Sequence, residues 1–315
     1  MIYILIPVYN AEETIIPCLD SIVHQTVEEW EAVVVNDGST DDTLNILLSY
    51  NDTRISVLSL NRHSGISNAL NVGLEYIRNL NSSPLRSSDM VVRMDADDVM
   101  FPDRLQRQRE HLDLNPRVEV SCGALKYSIG GEVGYEEAIG TKEVMERIPF
   151  FNPIAHPTVA FRGDLANVVQ YNPLCDGVED YLLWVEMLRK GVMIKSLGGS
   201  PLITYNNDKT TSSEAKSNHK DAAKKYTMVA KGIFSLYGVK KGSEAEWAST
   251  IYGGTLRSPD VWYSFQEMMD NSIGMGVNPE ALHSIFVISI WLINPTITVR
   301  RLIGVNDMVW IPRLN

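Results

Sequence analysis

The 315-residue sequence is 44% hydrophobic and 21% charged, values typical of a globular protein, which excludes disorder, collagen and a long coiled coil. Its formal net charge of −11 disfavours nucleic-acid binding through phosphate contacts. The three cysteines (Cys18, Cys122, Cys175) are too scattered for a disulfide framework or a zinc site and fit a reducing compartment. Because the N-terminus has no basic leader and no apolar run reaches about 18 residues, we expect a cytoplasmic protein without a spanning helix.

Strands and helices alternate through the first half of the chain. Apolar runs predict strands at 2–8, 32–35, 55–60, 90–94 and 118–127. Helical spacing predicts helices at 12–24, 64–80 and 102–114, with a further short helix ending at Leu48. Such alternation predicts an α/β fold with parallel strands and right-handed crossovers, in which a ligand lies outside the carboxyl ends of the strands.

Polar segments follow three of these strands and should therefore meet at one edge of the sheet. They are Tyr9-Asn10, Asp37-Gly38-Ser39 and Asp95–Asp98. Bare carboxylates this close would repel one another, and a divalent cation such as Mg²⁺ or Mn²⁺ would relieve the repulsion. A solvated acidic turn is the alternative. The sequence has neither a P-loop nor a G-x-G-x-x-G motif after the first strand, which disfavours P-loop enzymes and nicotinamide dehydrogenases.

The second half changes in character. A Gly- and Glu-rich loop at 130–141, a short helix at 142–148 and strands at 159–161 and 202–205 lead to a polar segment, 206–213, that we expect to act as a lid. Helices are then predicted at 216–236, 243–252, 259–271 and 279–292. We therefore expect two domains, 1–213 and 214–315. The lysine-rich stretch 216–241 fits a solvated helix face or a surface for anionic lipid, and 295–315 fits internal packing, a membrane-surface element or an oligomer contact.

Six blocks of the sequence carry a resemblance to a known family. They are Ile6–Asn10, Ser21–Thr26, Val35–Thr43, Asn61–Gly73, Met94–Asp98 with Pro102–Leu105, and Gly177–Trp184. In this order, over roughly residues 1–205, they resemble family-2 inverting glycosyltransferases, which have the GT-A fold, a Rossmann-like, mostly parallel sheet flanked by helices. The C-terminal third lies outside the resemblance.

The resemblance implies roles for individual residues. Tyr9 would stack on the nucleobase of a nucleotide-sugar donor, and Asp37 would accept a hydrogen bond from the base N–H. Asp95 would face the ribose and the metal, and Asp97 would be the direct ligand of Mn²⁺ or Mg²⁺. The remaining donor-binding positions are Pro7, Val8, Glu13, Asn68 and Ala96.

The resemblance also implies that Asp180 is the catalytic base, with Glu179 beside it. Asp180 is expected to open a helix, and a helix N-terminus favours the charged form of a carboxylate, which makes it a weaker base. His156 and Trp184 are candidates for acceptor contacts, with a polar turn histidine and a core tryptophan as the alternatives. Two departures from the family pattern are Asn36, where an acid is usual, and Asn206, where an arginine is usual.

These features predict a metal-dependent inverting glycosyltransferase that moves one sugar from a nucleoside-diphosphate donor, a UDP-sugar by resemblance, to a glycan or lipid-linked glycan. Peripheral contact with the inner face of the membrane and homo-oligomerisation stay open. The competing interpretation is a nucleotide-sugar-binding or scaffold protein without turnover. A nucleotidyltransferase would be expected to carry a Gly-rich, basic loop after the first strand, and Tyr9–Glu13 lacks one.

Overall fold

The computed structural model describes residues 1–80, 83–128, 133–134, 139–206, 219–240, 242–252 and 260–293. Most of the expected lid at 206–213, much of the loop at 130–141 and the whole of 295–315 lie outside these residues. The chain divides into two compact units. The first comprises Met1–Val144 and Asn152–Asn218, and the second comprises Met145–Phe151 and His219–Asn315.

The first unit contains a seven-stranded sheet in the order β10-β6-β9-β4-β1-β2-β3. Its strands are β1 (Ile2–Val8), β2 (Trp30–Asn36), β3 (Ile55–Ser59), β4 (Met90–Arg93), β6 (Val120–Cys122), β9 (Ala160–Arg162) and β10 (Ile194–Ser196). Strands β3, β2, β1 and β4 are mutually parallel, and β9 is antiparallel to both β4 and β6. The sheet is therefore mostly parallel, as the alternation of elements predicts.

Helices flank this sheet. They are α1 (Ile15–Val23), α2 (Thr43–Ser49), α3 (Ile66–Asn79), α4 (Arg104–Leu114), α6 (Gly163–Ala166) and α7 (Glu179–Arg189). Helix α5 (Thr141–Arg147) includes residues of both units. All seven residues of β1 are buried, which is typical of a central strand covered on both faces. Helix α1 buries Ile15, Cys18, Leu19 and Ile22, a spacing that places one apolar stripe against the core.

The predicted single strand at 118–127 is wrong. The segment forms β6 and then β7 (Leu125–Tyr127), which belong to different sheets. The break falls at Gly123, where a Cβ atom would lie 2.7 Å from Cδ1 of Leu202. Because this close packing needs a residue without a side chain, the chain leaves the first sheet at the glycine.

A second, four-stranded sheet has the order β5-β11-β7-β8, where β5 is Val99–Met100, β8 is Val133–Gly134 and β11 is Ile203–Tyr205. Strand β5 directly follows the acidic segment and pairs antiparallel with β11. The backbone N–H of Asn206, just after β11, donates to Oδ1 of Asp98 at 2.9 Å. The small sheet thus holds the C-terminal end of the acidic segment in place.

The second unit is helical, with α8 (His219–Tyr237), α9 (Glu244–Ile251), α10 (Asp260–Ser272) and α11 (Pro279–Ile293). Phe150, from the segment 145–151, packs against Trp247, Phe265 and Phe286 at ring-centroid distances of 6.0–6.3 Å. Nε1 of Trp247 also donates to the carbonyl of Pro149 at 3.2 Å. The segment 145–151 therefore belongs to the core of this unit, although the sequence pattern predicts that it belongs to the first domain, 1–213.

In the part of the chain that the structure describes, no helix has both the length and the apolar character needed to span a bilayer.

Helix α3 packs closely on the sheet at Gly73, and this contact gives a first prediction. A Cβ atom there would lie 2.2 Å from Cδ1 of Leu5 and 3.0 Å from Cγ2 of Val35. Overpacking of a tight core costs about 1–3 kcal/mol, so Gly73→Val should lower the free energy of unfolding by about that amount. Urea denaturation measures the change. Glu75→Ala, on the exposed side of the same helix, is the control and should keep the stability of the parent. Equal stability of Gly73→Val and the parent would contradict this packing.

Candidate active site

Three polar segments meet at the carboxyl edge of the large sheet. Val8 is level with Asn36 across β1 and β2, and Leu5 is level with Arg93 across β1 and β4. Asp37 thus begins the loop after β2, while Asp95 lies two residues beyond the end of β4. Because β1 lies between β2 and β4, about 10 Å separates the ends of the outer two strands. The edge can therefore hold a ligand of nucleotide length.

Asp37 is buried (2% exposed) and accepts hydrogen bonds from the loop before α3. Its Oδ1 accepts from the N–H and the hydroxyl of Ser64, at 2.9 and 2.7 Å. Its Oδ2 accepts from the N–H of Gly65 at 2.9 Å and lies 2.8 Å from Nδ1 of His63. The His63 ring stacks on the exposed Tyr9 ring, with centroids 3.9 Å apart and planes inclined by 29°.

The loops after β1 and β2 are tied to each other. The N–H of Asn10 donates to the hydroxyl of Ser39 at 3.0 Å, and the N–H of Thr40 donates to Oδ1 of Asn10 at 2.8 Å. Asn68, on the first turn of α3, donates to the Ser64 hydroxyl at 2.8 Å. Tyr9, Asp37 and Asn68 consequently share one side of the site.

The other expected donor-binding positions differ in exposure. Pro7, Val8 and Ala96 are buried, and Val8 is in the hydrophobic core at 2% exposed. The Val8 side chain therefore packs in the core, while its carbonyl accepts the N–H of Asp37 at 2.8 Å; a role of Val8 in donor binding stays a prediction. Glu13 is exposed on the loop before α1.

The acidic segment after β4 brings three carboxylates together. One oxygen each of Asp95, Asp97 and Asp98 lies within 4.8 Å of the others. Limited solvent access and the charge of Asp95 raise the pKa of Asp97 to about 6, and they also raise the pKa of Asp98. Asp98, which the resemblance does not single out as a ligand, is fully buried.

This cluster fits a divalent cation. Among the described residues, Oδ2 of Asp98 is buried without a hydrogen-bond partner, so this oxygen gains no compensation for its burial within the protein. Carboxylate oxygens are the hard ligands that Mg²⁺ and Mn²⁺ prefer. A cation held by Asp95 and Asp97 would offset the charge repulsion that raises these pKa values.

Arg93 is the buried cation at the centre of the site. Its side chain is 3% exposed, and Nη2 forms an ion pair with Oδ1 of Asp95. Burial opposes the charged form, but the acidic neighbours outweigh it and raise the pKa of Arg93. In the part of the chain that the structure describes, Nε and Nη1 have no hydrogen-bond partner.

The Arg93 charge reaches both acidic groups of the site. It lowers the pKa values of Asp97 and Asp98 on one side and those of Glu179 and Asp180 on the other. Both groups therefore lie within electrostatic range of the same guanidinium, although 82 residues separate Asp98 from Asp180 in the sequence.

Glu179 and Asp180 occupy the first turn of α7. Glu179 is buried at 6% exposed and accepts the N–H of Gly177 at 2.5 Å, whereas Asp180 is partly exposed. Oδ2 of Asp180 accepts from Nδ2 of Asn152 at 2.7 Å, and Oδ1 accepts from the N–H of Tyr181 at 2.7 Å. These two bonds fix the orientation of the Asp180 carboxylate.

The net shift of the Asp180 pKa is opposite to the one that the helix terminus alone predicts. Limited solvent access raises the pKa of Asp180 to about 6, although its two hydrogen bonds and Arg93 favour the charged form. Burial and the neighbouring Asp180 raise the pKa of Glu179 to about 7. Asp180 is thus a stronger base than an ordinary aspartate but is still mostly ionised at neutral pH.

His156 and Trp184 are both buried, and Nδ1 of His156 lies 3.9 Å from Oε1 of Glu179. His156 is 6% exposed, and its Nε2 is 2.9 Å from the Tyr171 hydroxyl. Burial and the charge of Arg93 lower the pKa of His156, which keeps the ring neutral. Trp184 is fully buried with its ring edge-on to His156, so the structure contradicts the expected stacking on an acceptor sugar and supports the alternative of a core tryptophan.

Three residues of the site were not predicted from the sequence: Arg93, Asn152 and His63. Arg93 gave a usable signal, because a charged residue within the apolar run of β4 needs a buried partner. Asn152 is far from Asp180 in sequence, and no local pattern connects them. His63 lies in a block that resembles the family, but nothing in its spacing predicts a contact with Tyr9.

The parallel sheet, the acidic edge and the second small sheet define an α/β protein of the GT-A type. Residues 3–163, just over half of the chain, match the family model described as glycosyl transferase family 2. The chain belongs to this family.

Relatives with curated names support the same assignment. An Escherichia coli protein named UDP-Glc:alpha-D-GlcNAc-diphosphoundecaprenol beta-1,3-glucosyltransferase WfgD is 32% identical over 192 residues, which are 60% of this chain and 70% of that protein. A Haemophilus influenzae protein named as an uncharacterized glycosyltransferase is 29% identical over 208 residues, 61% of this chain. The aligned region spans only 62% of the length of that relative.

Solved structures share the fold at low sequence identity. S. aureus TarS in complex with UDP-GlcNAc aligns with 94% of this chain and 90% of its own, with a TM-score of 0.62 and 17% identity. The mannosyltransferase PcManGT from Pyrobaculum calidifontis, in complex with GDP-Man and Mn²⁺, aligns with 93% of this chain and 81% of its own, with a TM-score of 0.52 and 16% identity. These similarities show the fold.

The carboxylate cluster predicts a metal-dependent change in stability. Mn²⁺ should raise the melting temperature of the parent protein at pH 7.5, because a ligand that binds the native state stabilises it. The increase should be smaller at pH 5.5, where protons compete for Asp97. Asp97→Asn should lose most of the increase, whereas Asp113→Asn, which removes an exposed charge on α4, should keep it. An equal increase in both variants would place the metal elsewhere.

Proposed function

We propose that this protein is a metal-dependent, inverting glycosyltransferase that moves one sugar from a nucleoside-diphosphate donor to a hydroxyl group of a glycan or lipid-linked glycan. The observation that carries the proposal is the grouping of Asp95, Asp97 and Asp98 with Glu179 and Asp180 around Arg93. One acidic group suits a metal-bound diphosphate, and the other suits proton removal from an acceptor.

A UDP-sugar is the proposed donor. WfgD is named for UDP-Glc as donor, and TarS is described in complex with UDP-GlcNAc. Uracil offers a flat ring for Tyr9 and an N–H for Asp37, the two contacts that the family resemblance implies. The name of WfgD also includes a diphosphoundecaprenol-linked acceptor, which supports a lipid-linked glycan as the acceptor class here.

Asp180 is the proposed base. The acceptor oxygen attacks the anomeric carbon from the face opposite the nucleotide while the bond to the diphosphate oxygen breaks, so the anomeric configuration inverts. The acceptor proton passes to the Asp180 carboxylate, which Asn152 and the Tyr181 N–H orient. Limited solvent access, which raises the pKa of Asp180 to about 6, increases its affinity for this proton.

The leaving nucleoside diphosphate gains negative charge. A cation held by Asp97 and Asp95, when bound, supplies the positive charge that stabilises this group. Arg93 holds Asp95 in orientation and adds positive charge beneath the site. Asn206, at the position where the family usually has an arginine, donates its backbone N–H to Asp98 and accepts from the Ser128 hydroxyl at 3.5 Å through its side-chain oxygen.

The base assignment gives a direct test by mutation. Asp180→Asn should bind the donor with unchanged affinity and lose transfer by about 10²–10⁴-fold, because the amide cannot accept the proton. Glu186→Gln, which removes one charge from the same helix, is the control and should keep its turnover. Product formation from radiolabelled donor measures transfer. A binding or scaffold protein without turnover would show no transfer in any variant.

The raised pKa of Asp180 also predicts the pH dependence of the reaction. The base must be ionised, so kcat/KM should fall about tenfold per pH unit below about pH 6 and level off above about pH 7. An unperturbed aspartate would hold its rate down to about pH 4. A kcat/KM profile for the acceptor that stays flat to pH 5 would therefore remove Asp180 from the base role.

Contact with a membrane surface and self-association stay predictions of the sequence analysis. Vesicle co-sedimentation and light scattering would test them separately.

A further inference from the structure

The His63 imidazole occupies the place that the proposed function assigns to the donor nucleobase. Its ring stacks on Tyr9 with centroids 3.9 Å apart. Its Nδ1 lies 2.8 Å from Oδ2 of Asp37, a hydrogen-bond distance. A flat ring on Tyr9 with a ring N–H directed at Asp37 is also how uracil would bind there.

The imidazole and a nucleobase cannot make these contacts at the same time. This face of the Tyr9 ring has room for one stacked partner, and Asp37 Oδ2 already accepts from the Gly65 N–H as well as from His63. Oδ1 is occupied by two donors from Ser64. A base that reaches Asp37 must therefore take over the hydrogen bond that His63 now makes.

We propose that His63 is an internal occupant of the nucleobase subsite, which the donor base must displace, so that His63 sets the affinity for the nucleotide. The inference rests on the proposed function, because the subsite is the one assigned there to the donor.

Displacement requires a rotation of the side chain and not a movement of the loop. The loop backbone is fixed by the amides of Ser64 and Gly65 on Asp37. The loop backbone also packs against Gly38. A Cβ atom added at Gly38 would lie 2.4 Å from the carbonyl carbon of Arg62 and 2.6 Å from the backbone nitrogen of His63. The His63 side chain is 52% exposed, so it can turn towards solvent without breaking these contacts.

The effect on binding follows from the fraction of molecules whose subsite is open. The apparent dissociation constant equals the intrinsic one divided by that fraction. If the imidazole fills the subsite in about nine molecules of ten, its removal tightens nucleotide binding about tenfold. A ligand without a base gains nothing from the removal.

The test is calorimetric titration of the full-length protein with UDP in the presence of Mn²⁺. His63→Ala should bind UDP about tenfold more tightly than the parent. Arg62→Ala, which changes the exposed neighbouring residue, should stay within twofold. Inorganic pyrophosphate with Mn²⁺ should bind the parent and His63→Ala equally, which separates displacement of the ring from an effect of charge.

Two results would overturn the inference while leaving the proposed function intact. Weaker UDP binding by His63→Ala would make the imidazole a contact of the bound nucleotide, and binding within twofold of the parent would show that the ring does not block the subsite. Failure of UDP, GDP and dTDP to bind the parent and both variants would instead overturn the proposed function and this inference with it.

Discussion

The carboxylates at the edge of the sheet crowd around one buried guanidinium, that of Arg93. Asp95 forms an ion pair with Arg93. The positive charge of Arg93 lowers the pKa values of four further carboxyl groups, those of Asp97, Asp98, Glu179 and Asp180. Removing one partner of a buried ion pair leaves an uncompensated charge, which costs about 3–5 kcal/mol. Arg93 therefore partly offsets the charge of two acidic groups that the chain supplies from distant segments.

This compensation is incomplete, and the remaining imbalance is what gives the site its chemistry. The pKa of Asp97 stays near 6 and that of Glu179 near 7 despite the neighbouring guanidinium. A cation at the Asp95–Asp97 side would lower the repulsion there. On the other side, limited solvent access raises the pKa of Asp180 to about 6, which suits the proposed base and leaves it mostly ionised at neutral pH. The site thus suits metal binding at one end and, under the proposed function, proton removal at the other.

Much of the fold could be predicted from local patterns. The continuous apolar run of β1 and the helical spacing in α1 and α3 reflect burial that each segment shows in its own sequence. The split of 118–127 could not be predicted, because it depends on Leu202 packing against Gly123 from 79 residues away. The antiparallel insertion of β9 between β4 and β6 depends likewise on pairing between distant segments.

The site was predictable in position but not in its contacts. Topology alone brings Tyr9, Asp37 and Asp95 to one edge, because parallel strands end on the same side. The contact of His63 with Tyr9, the burial of Trp184 and the sign of the pKa shift at Asp180 depend on tertiary packing. A helix N-terminus favours a charged carboxylate, but restricted solvent access outweighs that effect at Asp180.

A crystal structure of the protein grown with UDP and Mn²⁺, with anomalous scattering recorded at the manganese absorption edge, tests the central claim most directly. The account predicts one strong anomalous peak within coordination distance of Asp97, next to the diphosphate, with the uracil ring on Tyr9. A peak remote from the acidic segment, or UDP bound away from this edge of the sheet, would contradict it.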